Sequence, residues 1–408
     1  MFYGLGEIKY VWLLLFTLVL NDCFVRVMTS AKELVKNAIV LFLLVYDFGI
    51  LIGFKYLSDG IPLGISFYTF QLAAYVLDVY WGKCKPSRNL VETGTYLCMY
   101  PQLIAGPILL YKDVISQIRY RTYKLEKIED GMKLFVLGLA YKLLIADMLG
   151  MLWHQVLVVG FESISTPMAW LGAAAFSMEI YFDFNGYSLM AVGLGKMLGF
   201  KFMDNFNVPY MSRSVSEFFR RWHISLGQWF REYVYIPLGG NRKGRILTIR
   251  NLFIVWVLTG MWHGRTINFL VWAMGIFLLI VIERMGFKAV LQKHSVVSRI
   301  YMILFIPVSW MIFAISDIGE LLVYFKKMFP IGQNFEFIAG NGRDTIMALQ
   351  QYGIILFAAI FLSTGILRNL YQENKRKWWM LLILIVLFWL SVIHMIKNVE
   401  NPFLYFRF

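Results

Sequence analysis

Windows of about 20 residues with almost no charge recur along this chain, and each is long enough for a helix to cross a hydrocarbon core of about 30 Å. They fall at 10–28, 36–55, 61–81, 131–152, 168–199, 250–282, 299–316, 346–366 and 377–396, with a shorter candidate membrane element at 94–111. Strands of a membrane barrel would alternate apolar and polar residues, and these windows do not. The expected fold is all-α: a polytopic membrane protein of roughly nine to eleven transmembrane or re-entrant helices. A hydrophobic share of 59% puts the chain beyond the range of ordinary soluble domains.

The charges that interrupt the windows sit in short segments: Lys83, Lys85 and Arg88; Arg119, Arg121, Lys124 and Lys127; Arg242, Lys243, Arg245 and Arg250; Lys375, Arg376 and Lys377. Basic loops of this size favour the cytoplasmic side, so the net charge of +14 reads as a topology signal. Membrane lipid is an expected partner and nucleic acid is not, because base-stacking platforms on a basic face need far more water-exposed surface. No small-residue cleavage site follows the first apolar stretch, so the first span is expected to be retained. Cys23, Cys84 and Cys98 form neither a CxxC pair nor an even framework, so no disulfide and no metal site is expected. No tandem repeat or long polar linker interrupts the chain, and 1–408 reads as a single integral membrane domain.

Three polar interruptions carry candidate chemistry. The stretch EFFRRWHISLGQWF, residues 217–230, is expected to form an amphipathic helix lying at the interface or lining a polar cavity. Phe218, Phe219, Trp222, Leu226, Trp229, Phe230 and Tyr233 share one arc; Glu217, Arg220, Arg221, Ser225, Gln228, Arg231 and Glu232 share the other. His223 falls on the seam beside Gly227, either as a functional group or as an incidental histidine on an anchoring helix. In MEIYFDFNGYSLMAVGLGKMLGF, Glu179, Asp183 and Asn185 fall inside a stretch long enough to be a membrane helix. A carboxylate there faces a protein interior or a watery cavity, and Asp183 either serves a site or ties helices together. In RNLFIVWVLTGMWHGRTINFLVWAMGIFLLIVIE, an island from His263 to Asn268 separates two apolar runs, so His263 is either a satisfied structural imidazole or a functional one.

The segments YFDFNGYS, NFNVPYMSRSVSEFFRRWHISLGQWFREYVYIPLGGNRKG, RNLFIVWVLTGMWHG and the terminal PFLYFRF, preceded by IPLGISFYTFQ at 61–71 and YPQLIAGPI at 100–108, occur in that order. The chain thereby resembles the membrane-bound O-acyltransferase (MBOAT) family over nearly its whole length, and within it the bacterial alginate O-acetyltransferase-like branch. Relatives carry a further hydrophobic segment ahead of text like FYGLGEIKYVWLLLF, whereas Met1 stands almost inside it here, which leaves the span count and the side of the N-terminus open. The resemblance implies helices around a central funnel or tunnel in the bacterial cytoplasmic membrane, with a motif-bearing catalytic core at about 179–268. A thioester donor would enter from the cytoplasm and an acceptor hydroxyl from the other side.

On that resemblance His263 matches the family's characteristic histidine and His223 its second position. His263 is expected to act as general base, and His223 to orient the acceptor, stabilise the oxyanion or assist proton movement. Asp183, Asn185, Arg220, Arg221, Trp222, Ser225, Trp229, Arg231 and Asn268 are expected to bind substrate. Arg242, Lys243 and Arg245, with the helix arginines, are expected to dock an anionic donor, either acetyl-CoA or an acylated phosphopantetheine carrier; no permanently bound cofactor is implied. Nucleophilic catalysis by Ser225 or Thr259 is the lesser alternative. The implied activity is O-acetylation of an extracytoplasmic polysaccharide or of a relay partner, an extracytoplasmic acyltransferase. D-alanyl transfer from a carrier protein toward teichoic acid is the alternative within the family. A transporter with Asp183, His223 and His263 along a conduction path is the alternative outside it; its signature of repeated halves with matching broken helices is not found in the chain.

Overall fold

The computed structural model describes residues 2–58, 60–103, 106–340 and 342–397. Of the described residues, 79% are helical and none is in a strand. In chain order the helices that matter for the site are α1 (Val11–Ser30), α2 (Glu33–Leu57), α3 (Ile65–Tyr80), α4 (Leu90–Cys98), α5 (Tyr111–Arg119), α6 (Leu125–Val159), α7 (Thr166–Met197), α8 (Val215–Arg221), α9 (Ile224–Phe230), α10 (Arg245–His263), α11 (Ile267–Ile282) and α12 (Ser295–Ala314).

Eight helices among the described residues are long and apolar enough to cross a membrane: Ile8–Ser30, Glu33–Leu57, Leu125–Val159, Arg245–His263, Ile267–Lys293, Ser295–Ala314, Phe335–Ser363 and Trp378–Lys397. This multi-pass helical architecture is the expected fold class, with differences in detail. The window 250–282 divides into α10 and α11, because the chain leaves the helix at Gly264. The window 61–81 becomes α3, whose 16 residues rise only about 24 Å and are buried along most of their length. The window 168–199 becomes α7, whose 32 residues rise about 48 Å and carry Glu179 and Asp183 within them. The shorter candidate 94–111 is part of α4, a helical turn at Tyr100–Leu103 and a run without regular secondary structure at 107–110; Ile104 and Ala105 lie outside the described residues, as does the terminal PFLYFRF.

The described residues form two compact units. The first comprises the chain up to Phe135 with Ser188–Asp204 and Ser225–Gly240. Its core gathers Val25, Leu43, Tyr75, Tyr96, Tyr111, Phe200 and Phe202. Among the polar groups inside it, the carboxylate of Asp22 on α1 accepts from Arg26, Ser87 and Thr93. Helix α9 is fastened here, with the Trp229 indole N–H on the Phe70 carbonyl at 2.8 Å, its ring stacked 3.9 Å from that of Phe70, and Tyr233 donating to buried Asp78 at 2.7 Å.

The second unit comprises Val136–Tyr187, Asn205–Ile224 and the described residues from Asn241 onward. Its core is built largely of rings, among them Phe176, Phe182, Phe184, Phe218, Trp222, Trp256, Trp272, Trp310 and Phe313. Within this unit α6 and α7 approach closely at glycine: a Cβ on Gly186 would stand 2.7 Å from the Gly138 carbonyl oxygen. Small residues at such a seam let helix backbones meet where lipid offers no hydrophobic drive.

Candidate active site

Helix α8 begins the segment that carries His223. Ser214 caps it, accepting from the Glu217 backbone N–H at 3.1 Å. Two further first-turn donors, the N–H groups of Val215 and Ser216, meet the buried carboxylate of Glu283 at 2.6 and 3.0 Å, and Tyr301 donates to the same carboxylate. A carboxylate at a helix N-terminus satisfies donors that have no intrahelical partner and also meets the positive end of the helix dipole.

The helix then stops. Trp222 is extended (φ −102°, ψ 130°) and His223 takes a left-handed backbone (φ +45°) before α9 starts at Ile224. The single amphipathic helix expected over 217–230 is therefore two seven-residue helices with His223 at the break. The physical reason is a neighbouring segment that takes the backbone groups a continuing helix would use. Asn207 donates its N–H to the Arg221 carbonyl, and Asn205 accepts the Ile224 N–H, both at 2.9 Å. The two arcs nevertheless match the observed burial, with Phe218, Trp222, Leu226, Trp229 and Phe230 inside and Arg220 and Arg231 exposed. Ser225 breaks the pattern, being 1% exposed.

The His223 ring is 3% exposed. Its Nδ1 lies 3.2 Å from Oδ1 of Asn205, and Phe184 of α7 stands edge-on to it at 4.8 Å between centroids. Burial pushes its pKa down to about 3, so the imidazole is neutral. The Trp262 indole completes the enclosure at 6.1 Å.

His263 is the last residue of α10 and is half-buried. Its ring lies among Trp262 at 4.9 Å, Trp272 at 5.1 Å, Phe313 at 5.2 Å and Phe269 at 6.3 Å. Gly264 makes this possible, since a Cβ there would fall 2.1 Å from the Phe269 ring. The Asn268 amide donates to the carbonyls of Ile312 and Phe313, which pins the end of α12 and with it the Phe313 ring.

The other expected residues divide. Trp222 is packed among Tyr210, Phe206, Phe218 and Trp310 in the aromatic core. Arg220 is exposed, and Arg221 pairs with Glu217 at 2.6 Å. Arg242 and Lys243, before α10, and Arg245, its first residue, are all exposed. Ser225, Trp229 and Arg231 belong to the first unit; Ser225 Oγ accepts the Ile108 N–H at 3.0 Å, and Trp229 is the core anchor described above. Thr259 donates back to the Val255 carbonyl. Asn185 is half-buried and bonds Tyr181 one turn earlier.

Asp183 sits in a buried ionic group. Lys142 of α6 lies 2.7 Å from Asp183 and 2.7 Å from Asp147. Residues five apart on a regular helix point about 140° away from each other. Here residues Tyr141–Ala146 form a π-helical turn in which the Asp147 N–H bonds the Lys142 carbonyl, and that register brings the two side chains together. Lys142, Asp147, Asn205 and Glu283 were not expected from the sequence. The signal for three of them was an ionisable residue inside or closing an apolar run; Asn205 lay within a quoted motif without a role.

A model described as MBOAT, membrane-bound O-acyltransferase family, matches residues 87–325, which contain both imidazoles. Among curated proteins, the chain is 36% identical over 369 residues to the "probable alginate O-acetylase AlgI" of Pseudomonas putida, covering 85% of this chain and 75% of that protein. It is 29% identical over 406 residues to the peptidoglycan O-acetyltransferase of Helicobacter pylori, covering 87% and 76%. It is 28% identical over 227 residues to the teichoic acid D-alanyltransferase of Bacillus subtilis, covering 52% and 56%. Against further alginate O-acetylases it spans 59% and 60% of the relative's length. The chain belongs to the membrane-bound O-acyltransferase family, as a multi-pass membrane O-acyltransferase.

Proposed function

We propose that this enzyme takes an acetyl group from a cytoplasmic thioester, acetyl-CoA or an acylated phosphopantetheine carrier, and delivers it to a hydroxyl of an extracytoplasmic polysaccharide or of a relay partner. The observation that carries the reading is the approach of His223 and His263 to one indole, Trp262, within one unit. In the transfer, the hydroxyl oxygen attacks the thioester carbonyl carbon. As the C–O bond forms, His263 accepts the hydroxyl proton; as the C–S bond breaks, that proton passes to the departing thiolate, so no net proton is consumed. A base of this kind is worth about 10²–10⁴-fold in rate. The exposed cations Arg242, Lys243 and Arg245 would attract the phosphates of coenzyme A or the acidic face of a carrier.

The acetyl reading is favoured over D-alanyl transfer by the length of the similarity, which covers 85% of the chain for the alginate O-acetylase of Pseudomonas putida and 52% for the D-alanyltransferase of Bacillus subtilis. Proteoliposomes holding the purified enzyme, radiolabelled acetyl-CoA and an enclosed polysaccharide acceptor test it. Label bound covalently to the acceptor is the expected result. Label that crosses unaltered would favour a transporter, and transfer only from a D-alanylated carrier would favour the alternative.

A further inference from the structure

We infer that Asn205 is a positioning residue for the transfer: its side-chain oxygen holds the Nδ1–H of His223, fixing the tautomer in which Nε2 is the imidazole's basic nitrogen. The inference deepens the function proposed above and rests on it for its kinetic consequence. Asn205 is 1% exposed, and Oδ1 lies 3.2 Å from Nδ1. A carbonyl oxygen only accepts, so the ring nitrogen facing it donates, and the second nitrogen keeps its lone pair. The same residue takes the Ile224 N–H on its backbone oxygen, while Asn207 bonds the Arg221 carbonyl from the other side. Asn207 is in turn held by Arg368 at 2.7 Å. Residues 205–207 thus grip the backbone on both sides of His223 and the ring itself.

The left-handed backbone of His223 gives this grip a purpose. Such a conformation is uncommon outside glycine and persists where the surroundings over-determine it. An amide is also the fitting acceptor. A carboxylate at the same place would draw a proton onto the ring, whereas a neutral oxygen orients it and leaves it uncharged. Among the described titratable groups of the neighbouring segments, Asp183 on α7 is paired with Lys142, His263 on α10 has its ring 4.9 Å from that of Trp262, Arg221 is paired with Glu217, and Asp204 is exposed. His223 then serves as a neutral acceptor that orients the attacking hydroxyl through Nε2, and proton removal falls to His263.

The test compares wild type, Asn205→Leu and Asn205→Asp in the proteoliposome assay with radiolabelled acetyl-CoA. Asn205→Leu should lower kcat by about 10–100-fold with little change in the donor KM, the usual range for losing a group that orients a functional histidine. Asn205→Asp keeps the acceptor and should retain more activity than Asn205→Leu, with the acid limb of its kcat profile moved to higher pH, because a carboxylate raises the imidazole pKa. A wild-type kcat in Asn205→Leu overturns the inference. So does an equal loss in both variants with an unmoved pH profile, which would leave Asn205 as packing only. Thermal unfolding against pH in detergent supplies a readout independent of acyl transfer. Wild type should lose more stability than Asn205→Asp as pH falls below about 6.5, the imidazole's ordinary pKa, and the difference should vanish when both carry His223→Gln. Its persistence in that background overturns the inference. A wild type inert toward acetyl-CoA would count against the proposed donor while this comparison still decides the case of Asn205.

Discussion

His223 and His263 share a neighbour, the Trp262 indole, with ring centroids 6.1 and 4.9 Å from it. The separation of the two imidazoles cannot exceed the sum of those distances, although one ends α10 and the other sits at the break between α8 and α9. Their surroundings are unequal. His223 is enclosed and held by an amide, and His263 is half-buried at a helix end among four rings. Unequal environments suit the unequal roles proposed above, His223 as a fixed neutral acceptor and His263 as the general base.

His263→Ala should lower acyl transfer by about 10²–10⁴-fold. The unfolding midpoint should change little by comparison, since the half-buried ring is flanked by Trp262, Trp272 and Phe313, which pack against one another or their neighbours without it. Transfer rate and thermal unfolding on one purified sample check this. Retention of wild-type transfer would remove His263 from the mechanism.

Glu283→Ala should impair the site from a distance. It leaves the Val215 and Ser216 N–H groups without their carboxylate partner, and an unsatisfied buried donor costs about 1–3 kcal/mol. Because α8 leads directly to His223, kcat should fall with stability. Glu283→Gln, which retains one acceptor oxygen, should lie between wild type and Glu283→Ala in both measurements.

The sequence made the helical class legible and singled out the two histidines that neighbour Trp262, for identifiable reasons. Membrane spans announce themselves because uncharged runs of the required length have few other uses. His223 and His263 stood out because imidazoles amid apolar residues are uncommon and chemically loaded. The break at His223 was hidden, because an apolar pattern of 3.6-residue period runs through the sequence of both short helices, and only the bonds from Asn205 and Asn207 reveal the interruption. The pairing of Lys142 with Asp147 was hidden as well, since a π-turn changes which residues face each other and leaves no periodic signature. Trp222, Trp229 and Asn268 read as substrate contacts because polar and aromatic side chains at a motif look alike whether they meet a ligand, a packed ring or a helix carbonyl.

Lys142→Met should be strongly destabilising, by about 3–5 kcal/mol, because it removes the cation that pairs with the buried carboxylates of Asp147 and Asp183. The triple change Lys142→Met, Asp147→Asn, Asp183→Asn should recover much of that loss, since replacing a whole buried ionic group is far less harmful than breaking it. Thermal unfolding of the two variants in one detergent decides it; a triple variant no more stable than the single would refute the electrostatic account.

Replacing Arg242, Lys243 and Arg245 together by Gln should raise the donor KM while leaving kcat near wild type. All three are exposed, so their action on an anionic donor is through the local field. The screening length is about 10 Å at 0.1 M salt and about 3 Å at 1 M. The difference in KM between wild type and variant should therefore shrink as salt is raised, and a difference constant across that range would exclude docking by charge.

The joint between α4 and α5 should fail in acid. Arg119 forms a fork onto Glu92, Nε to Oε1 at 2.9 Å and Nη2 to Oε2 at 2.8 Å, and the Arg88 N–H adds a third bond at 2.8 Å. The Arg119 bonds, outweighing burial, hold the Glu92 carboxyl below its ordinary 4.5. A carboxylate whose folded pKa is depressed contributes stability that is fully present above the unfolded pKa and is lost as pH falls through the folded one. Wild type should thus be stabilised by this fork at neutral pH and should lose that contribution only below about 4.5. Glu92→Gln, which cannot ionise, should be less stable than wild type at pH 7, and the gap should close as the pH is lowered past that point. Unfolding midpoints of the two proteins from pH 7 downward measure it, and a gap that stays constant into acid would mean that the fork owes its contribution to packing rather than to charge.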